Sequence, residues 1–132
     1  MEKKKILKIQ KILNLNFQNK KLLEMAFIHK SAAKPTGSNN ERLEFIGDRV
    51  LGLTLSSELL KLYPNDTEGD LDKKLASLVN KQICSEIIDD LKLGKFITLS
   101  SSQKKNKIGY KKIFGDLCES IVGAIFLDQC YK

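Results

Sequence analysis

The chain has 132 residues, enough for one domain and too few for two independent cores. With 42% hydrophobic and 30% charged residues, it excludes both a disordered chain, which has too little apolar surface, and a membrane-embedded one, which has too much. A net charge of +7 favours a polyanionic partner, either nucleic acid or an anionic lipid surface, and does not choose between them.

Residues 3 to 15 place Ile6, Leu7, Ile9, Ile12 and Leu13 on an apolar stripe between lysines, which predicts a short, peripheral amphipathic helix. Lys8 and Lys11 interrupt the unbroken apolar stretch that a secretion signal needs, so export is not expected. A second helix starts after Asn19, a good N-cap, and turns Leu22, Leu23, Ala26 and Phe27 inward until the Pro35 to Gly37 turn breaks it. After the loop Lys34 to Asn40, Asn39 or Asn40 caps a third helix over Glu41 to Leu62. This is the longest predicted helix, and it ends at Tyr63-Pro64 because proline disfavours helix in its predecessor.

Asp66 to Gly69 reads as a loop. A fourth helix begins at Asp70 or its neighbours and runs through Leu71, Leu75, Leu78 and Val79. A fifth covers Ile83 to Leu93, with Gly94 as C-cap. Phe96 to Ser102 tolerates a strand but has no partner nearby, so it is read as loop, which Gly109 ends. A sixth helix, Lys111 to Gln129, is dense in apolar residues and therefore buried. Its strongly apolar run, Ser120 to Leu127, is far short of the roughly 20 residues that span a bilayer, so no membrane contact is expected. Cys84, Cys118 and Cys130 are odd in number and widely spaced within apolar helical patterns. They suggest neither a disulfide framework nor a zinc site, and predict reduced core thiols in a cytoplasmic protein. The expected architecture is an all-α helical bundle.

The excess base sits in two patches. Residues 1 to 34 carry nine lysines against two acids, and residues 104 to 112 carry five lysines and no acid. Against this, the third helix holds a stripe of acids. At about 100° per residue, Glu41, Glu44 and Asp48 fall within about 60° of one another, with Leu43, Ile46, Val50 and Leu53 on the opposite, core-facing side. Like charges at these spacings destabilise a helix, and burial of an unpaired carboxylate costs more. Arg42 and Arg49 project away from the stripe, so a divalent metal or a partner residue is the expected compensation.

The last helix supplies a complement. Asp116 and Glu119 share one face amid Ile113, Phe114, Leu117, Ile121, Val122, Ile125 and Phe126. Gly123 lies one turn beyond Glu119 and Gly52 one turn beyond Asp48, so the two helices can approach closely there and bring Glu44, Asp48, Asp116 and Glu119 into one cluster. Oxygen ligation of this kind suits Mg²⁺, with Mn²⁺ as a substitute, and not zinc. Dipole-favoured acids of a first helical turn explain Glu41 and Glu44 equally well, but not Asp48, which lies two turns in. Placement of Asp48 and Glu119 on opposite sides of the molecule, or a private cation for each, would remove the metal-site reading.

The segment Glu41-Arg-Leu-Glu-Phe-Ile-Gly-Asp48-Arg-Val-Leu resembles the signature of the ribonuclease III family, usually written ERLEFLGD and followed by a small residue and V-L. Asp116-Leu-Cys-Glu-Ser-Ile-Val-Gly-Ala-Ile-Phe-Leu-Asp128 resembles its second acidic motif. Weaker matches at Leu23 to Ser31, Glu68 to Leu71 and Leu78-Val79 extend the resemblance over nearly the whole chain. Arg49 departs from the pattern, standing where the family usually has a small residue, and Lys74 or Leu75 replaces a frequent arginine.

The resemblance implies an all-helical endonuclease domain spanning residues 1 to 132 that forms a two-fold homodimer and makes staggered cuts in double-stranded RNA with Mg²⁺. No small-molecule substrate is implied, and processing of ribosomal and messenger RNA is. By motif position, Glu44, Asp48, Asp116 and Glu119 become the metal ligands, with Asp48 and Glu119 catalytic. Glu41 becomes a supporting acid, and Phe45 the aromatic that packs into the partner subunit. His29 matches the family's histidine, although a lone histidine beside a helix end is more often structural. Lys104, Lys105, Lys107, Lys111 and Lys112 form the candidate strip for the RNA backbone, since duplex RNA is held through phosphates and 2′-hydroxyls. Relatives usually add a C-terminal RNA-binding domain that this chain does not contain, which points to an excised catalytic domain. A catalytically silent RNA-binding scaffold and a generic helical interaction module are the rival classes, and Mg²⁺-dependent cutting of a long duplex separates all three.

Overall fold

A computed structural model of the chain describes residues 1–32, 39–106 and 108–130. Seven α-helices form among them: α1 (Lys3–Leu13), α2 (Lys20–Ala26), α3 (Glu41–Leu62), α4 (Glu68–Leu78), α5 (Lys81–Leu91), α6 (Ser101–Lys105) and α7 (Tyr110–Ile125). The last runs into a π-helical turn, Phe126–Cys130. The described residues contain no strand, and a single bridge joins Ile28 to Thr98. The fold is all-α.

Side-chain caps set most helix starts. Asn39 Oδ1 accepts the Glu41 N–H at 2.8 Å, so of the two candidates it is Asn39 whose side chain serves α3. Thr67 and Asp70 form a reciprocal capping box, which moves the start of α4 forward to Glu68. Asn80 Oδ1 accepts the Ile83 N–H at 2.9 Å and starts α5 at Lys81, two residues earlier than the apolar pattern indicates. Ser100 caps α6 within the segment expected to be loop. At the other end of α5, Lys92 adopts the left-handed conformation expected of Gly94. Gly94 instead makes room for an aromatic ring, since a Cβ there would lie 2.4 Å from Cζ of Phe114. The turn Pro35 to Gly37 lies outside the described residues, and α2 already ends at Ala26.

Helix α7 is the central element, packed most extensively on α3 and α5. Leu117 on this helix and Ile9, Leu23, Phe27, Ile88 and Leu93 around it are fully buried, each stabilising the fold by about 1.5–3 kcal/mol relative to exposure. Ile9 brings α1 into this core, so that helix is not peripheral, and the Gln10 side-chain oxygen holds the Phe17 N–H at 2.7 Å. Asp128 ties the chain's end to its beginning by accepting the N–H groups of Gln18 (3.0 Å) and Asn19 (2.8 Å). Cys84 and Cys118 are buried free thiols, whereas Cys130 is exposed and not a core thiol.

Backbone approaches backbone where α3 crosses α7. A Cβ on Gly47 would lie 1.7 Å from the Glu119 carbonyl oxygen, and one on Gly123 would lie 2.1 Å from that of Leu43. The expected pairing of Gly52 with Gly123 is therefore corrected to Gly47 with Gly123, since nothing lies within 4 Å of a Cβ at Gly52. Leu53 is also corrected: it is 74% exposed, while Leu43 from the same predicted face is buried.

Candidate active site

The α3–α7 crossing carries the acids to one place. Glu44 sits in the first turn of α3, and Asp116 and Glu119 sit one turn apart on α7. One carboxylate oxygen from each of Glu44, Asp116 and Glu119 lies within 4.8 Å of the other two. Asp116 and Glu119 are each only 5% exposed, and Glu44 is half-buried. Asp48 lies outside this tight group, exposed at the mouth of the same cleft with its carboxyl group facing that of Glu119. The cleft has a volume of about 440 Å³, and Glu41, Phe45 and Lys30 complete its rim.

The compensating cation is a residue that sequence reasoning did not single out. Lys81, the first residue of α5, hydrogen-bonds through Nζ to the carboxylates of Asp116 and Glu119 and lies 3.6 Å from Glu44 Oε1. Lys112 Nζ reaches the other oxygen of Asp116 at 2.8 Å. Arg49 lies 3.5 Å from Asp48 in an exposed pair, and its guanidinium also stacks 3.8 Å above the Phe45 ring. Thus Asp48 and Glu119 do meet, but each also has a cationic neighbour, half of the outcome set against a metal site. Lys81 is shared, however, among Glu44, Asp116 and Glu119, and the five carboxylates of Glu41, Glu44, Asp48, Asp116 and Glu119 face four cations, Lys30, Arg49, Lys81 and Lys112, which leaves the cleft formally one charge negative.

These placements shift the titrations in opposite directions. Burial and then the neighbouring Asp48 carboxyl push Glu119 up to about 7. Burial, followed by the charge of Asp116, also raises Glu44. Asp116 is buried too, yet its hydrogen bonds from Lys112 and Lys81 outweigh that and hold it below the usual carboxylate range. Burial opposes the Lys81 charge, but hydrogen bonds to Asp116 and Glu119 win and hold its ammonium above the ordinary lysine range.

Three converging hard-oxygen donors, with a cation already drawn among them, fit a small divalent ion such as Mg²⁺ or Mn²⁺. An ion ligated by Glu119 would require it as carboxylate, so binding would release a proton wherever Glu119 is still protonated. The affinity for Mn²⁺ is therefore expected to rise with pH up to about 7 and then level off, which calorimetric titration across pH 5.5 to 8 checks. Affinity that is flat over that range would contradict the assignment of Glu119 as a ligand.

The remaining predicted residues separate. Lys104, Lys105 and Lys111 are exposed, Lys112 is engaged with Asp116, and Lys107 lies outside the described residues. Phe45 is 59% exposed. His29 is buried, and burial, followed by the charge of Lys30, lowers its pKa and favours the neutral ring. Its Nδ1 accepts the Ser31 N–H at 3.1 Å, and Ser31 Oγ in turn accepts the Ser100 N–H, a structural network joining the end of α2 to α6.

A family model described as Ribonuclease-III-like matches residues 19–132. Ribonuclease 3 of Pelagibacter ubique is 44% identical over 123 residues, covering 93% of this chain and 54% of that protein. Ribonuclease 3 of Aliarcobacter butzleri is 43% identical, covering 92% and 54%. The chain thus spans about half the length of the curated relatives it matches. Among solved structures, the nuclease domain of Ribonuclease III from Campylobacter jejuni superposes with a TM-score of 0.89 at 41% identity, over 96% of this chain and 87% of that one. No helix among the described residues is long and apolar enough to cross a membrane.

Proposed function

The chain belongs to the ribonuclease III family, and from that membership and its acidic cleft we propose that it is an endonuclease domain hydrolysing double-stranded RNA with a divalent metal. The observation that carries the reading is the convergence of Glu44, Asp116 and Glu119 from two helices onto one point, with Asp48 beside them. A generic interaction module has no use for buried, mutually repelling acids. A silent scaffold has no use for all four.

In this reading Glu44, Asp116 and Glu119 bind the metal, Mg²⁺ with Mn²⁺ as a substitute. Asp48 faces the substrate side of the cleft and, with Glu119, positions the attacking water, while Glu41 supports the rim. When bound, the ion supplies Lewis acidity and lowers the pKa of a water. The close crossing at Gly47 and Gly123 already holds the ligand-bearing helices together, so their backbones need little movement on binding. Because a net-negative cleft repels RNA phosphates, the backbone must be held elsewhere, and the exposed Lys104, Lys105 and Lys111, with Lys107 and Lys112, are the proposed contacts. Their attraction makes binding steeply dependent on salt.

The Campylobacter jejuni nuclease domain has a region involved in dimer formation, and we propose a homodimer here too. Supporting it, Phe45, Leu53 and Leu60 are exposed apolar side chains that helical periodicity puts within about 80° of one another on α3. Two copies related by a two-fold axis match the pseudo-dyad of a duplex and yield staggered cuts on opposite strands. Residues 1 to 132 then form a catalytic domain acting in the cytoplasm on ribosomal and messenger RNA precursors. Incubation of a long RNA duplex with Mg²⁺ tests this: discrete cleavage that stops on chelation supports the reading, and an intact duplex at every Mg²⁺ and Mn²⁺ concentration contradicts it.

A further inference from the structure

We propose that Lys81 is a resident stand-in for the divalent cation: its ammonium holds the acids of α3 and α7 together until the ion enters, and leaves the cluster when it does. The inference rests on the metal-dependent reading of this site and adds to it a competition built into the chain. The ammonium takes oxygens that converge on one point: Oδ1 of Asp116 and Oε1 of Glu119 by hydrogen bond, and Oε1 of Glu44 at 3.6 Å. Lone pairs committed to an ammonium are not free to ligate an ion, and two cations confined within that span repel.

Two features show that the placement is built. Lys81 occupies the first turn of α5, where the helix dipole disfavours a cation, so α5 itself supplies no reason for a lysine there. The stem reaches the cluster by lying on Gly115: a Cβ at that position would sit 2.8 Å from Lys81 Cδ and 3.2 Å from the Lys81 carbonyl oxygen. The far end can still leave, because the side chain is 41% exposed and lines the open cleft.

The competition is read by calorimetric titration of Mn²⁺ and by melting in a chelator, comparing the wild-type chain with Lys81→Met. Methionine keeps most of the stem and removes the charge. The variant is expected to bind Mn²⁺ about tenfold more tightly or better, a difference of about 1.4 kcal/mol, and to melt lower than wild type in chelator. Added Mn²⁺ should then raise its melting temperature by more than it raises that of wild type. Lys73→Met, at an exposed lysine of α4 away from the cleft, should leave Mn²⁺ binding unchanged. Equal or weaker Mn²⁺ binding by folded Lys81→Met overturns the proposal while leaving the metal site standing. Binding by the variant but not by wild type supports it in its strongest form, and binding by neither removes the metal-dependent reading along with it. Should Lys81→Met fail to fold even with Mn²⁺, Lys81→Arg decides. That variant retains the charge and must bind no more tightly than wild type, so tighter binding refutes the competition.

Discussion

Gly47→Ala is expected to cost about 3 kcal/mol of stability or more, measured by chemical denaturation, although alanine is the better helix former. A methyl group there meets the Glu119 carbonyl oxygen at 1.7 Å and its carbon at 2.6 Å, and the Gly123 nitrogen at 3.0 Å. All three are backbone atoms of the central helix, so no side chain can turn aside and α3 must move away from α7. That movement separates Glu44, which is presented from α3, from Asp116 and Glu119 on α7, so Mn²⁺ affinity should fall together with stability. Gly52→Ala on the same helix provides the contrast. With nothing within 4 Å of the added methyl, it should stabilise by about 0.5–1 kcal/mol through reduced backbone entropy of the unfolded chain. Equal effects at the two glycines would show that the close crossing does not set the fold.

On the proposed endonuclease reading, Glu119→Gln should lower the rate of duplex cleavage by about 10³-fold or more, above the 10–100-fold typical of residues that only support a metal ligand. The amide keeps the shape and loses the charge on which metal binding depends. Stability should move the other way. Glu119 is raised to about 7 by burial and the Asp48 carboxyl, so the folded chain favours its uncharged form. The sign follows from linkage: the contribution of Glu119 to stability is present below its unfolded value near 4.5 and is lost as pH rises through about 7. A permanently neutral side chain should therefore leave the metal-free protein at pH 8 as stable as wild type or more so, which thermal melting checks. Loss of activity without loss of stability is the signature of a group kept for chemistry at a cost to the fold. Cleavage retained within about tenfold would take Glu119 out of the active site.

Much of this arrangement was legible in the residue order. Helix α3 has the expected bounds because both ends carry local signals, an asparagine before Glu41 and Tyr63-Pro64 after Leu62. The convergence of Asp116 and Glu119 with Glu44 follows from helical periodicity once two acid-bearing helices must share one core. What the residue order leaves open depends on tertiary contact. Lys81 lies 35 residues before Asp116, on a third helix, and no spacing rule links them. Its only advance signal was the charge imbalance, which demanded a cation without saying from where. Leu53 reads as core because an apolar face has the same periodicity whether its own chain covers it or not. Helix α6 spans five residues, too few for a periodic pattern, and Ser100 was its sole marker.

Anomalous diffraction from crystals of the chain soaked in Mn²⁺ tests the proposed metal centre most directly. The expected result is a peak ligated by carboxylate oxygens of Glu44, Asp116 and Glu119, with the Lys81 ammonium withdrawn from them. Crystals that show no peak at that point at saturating Mn²⁺, and in which Lys81 keeps its ion pairs to Asp116 and Glu119, would contradict it.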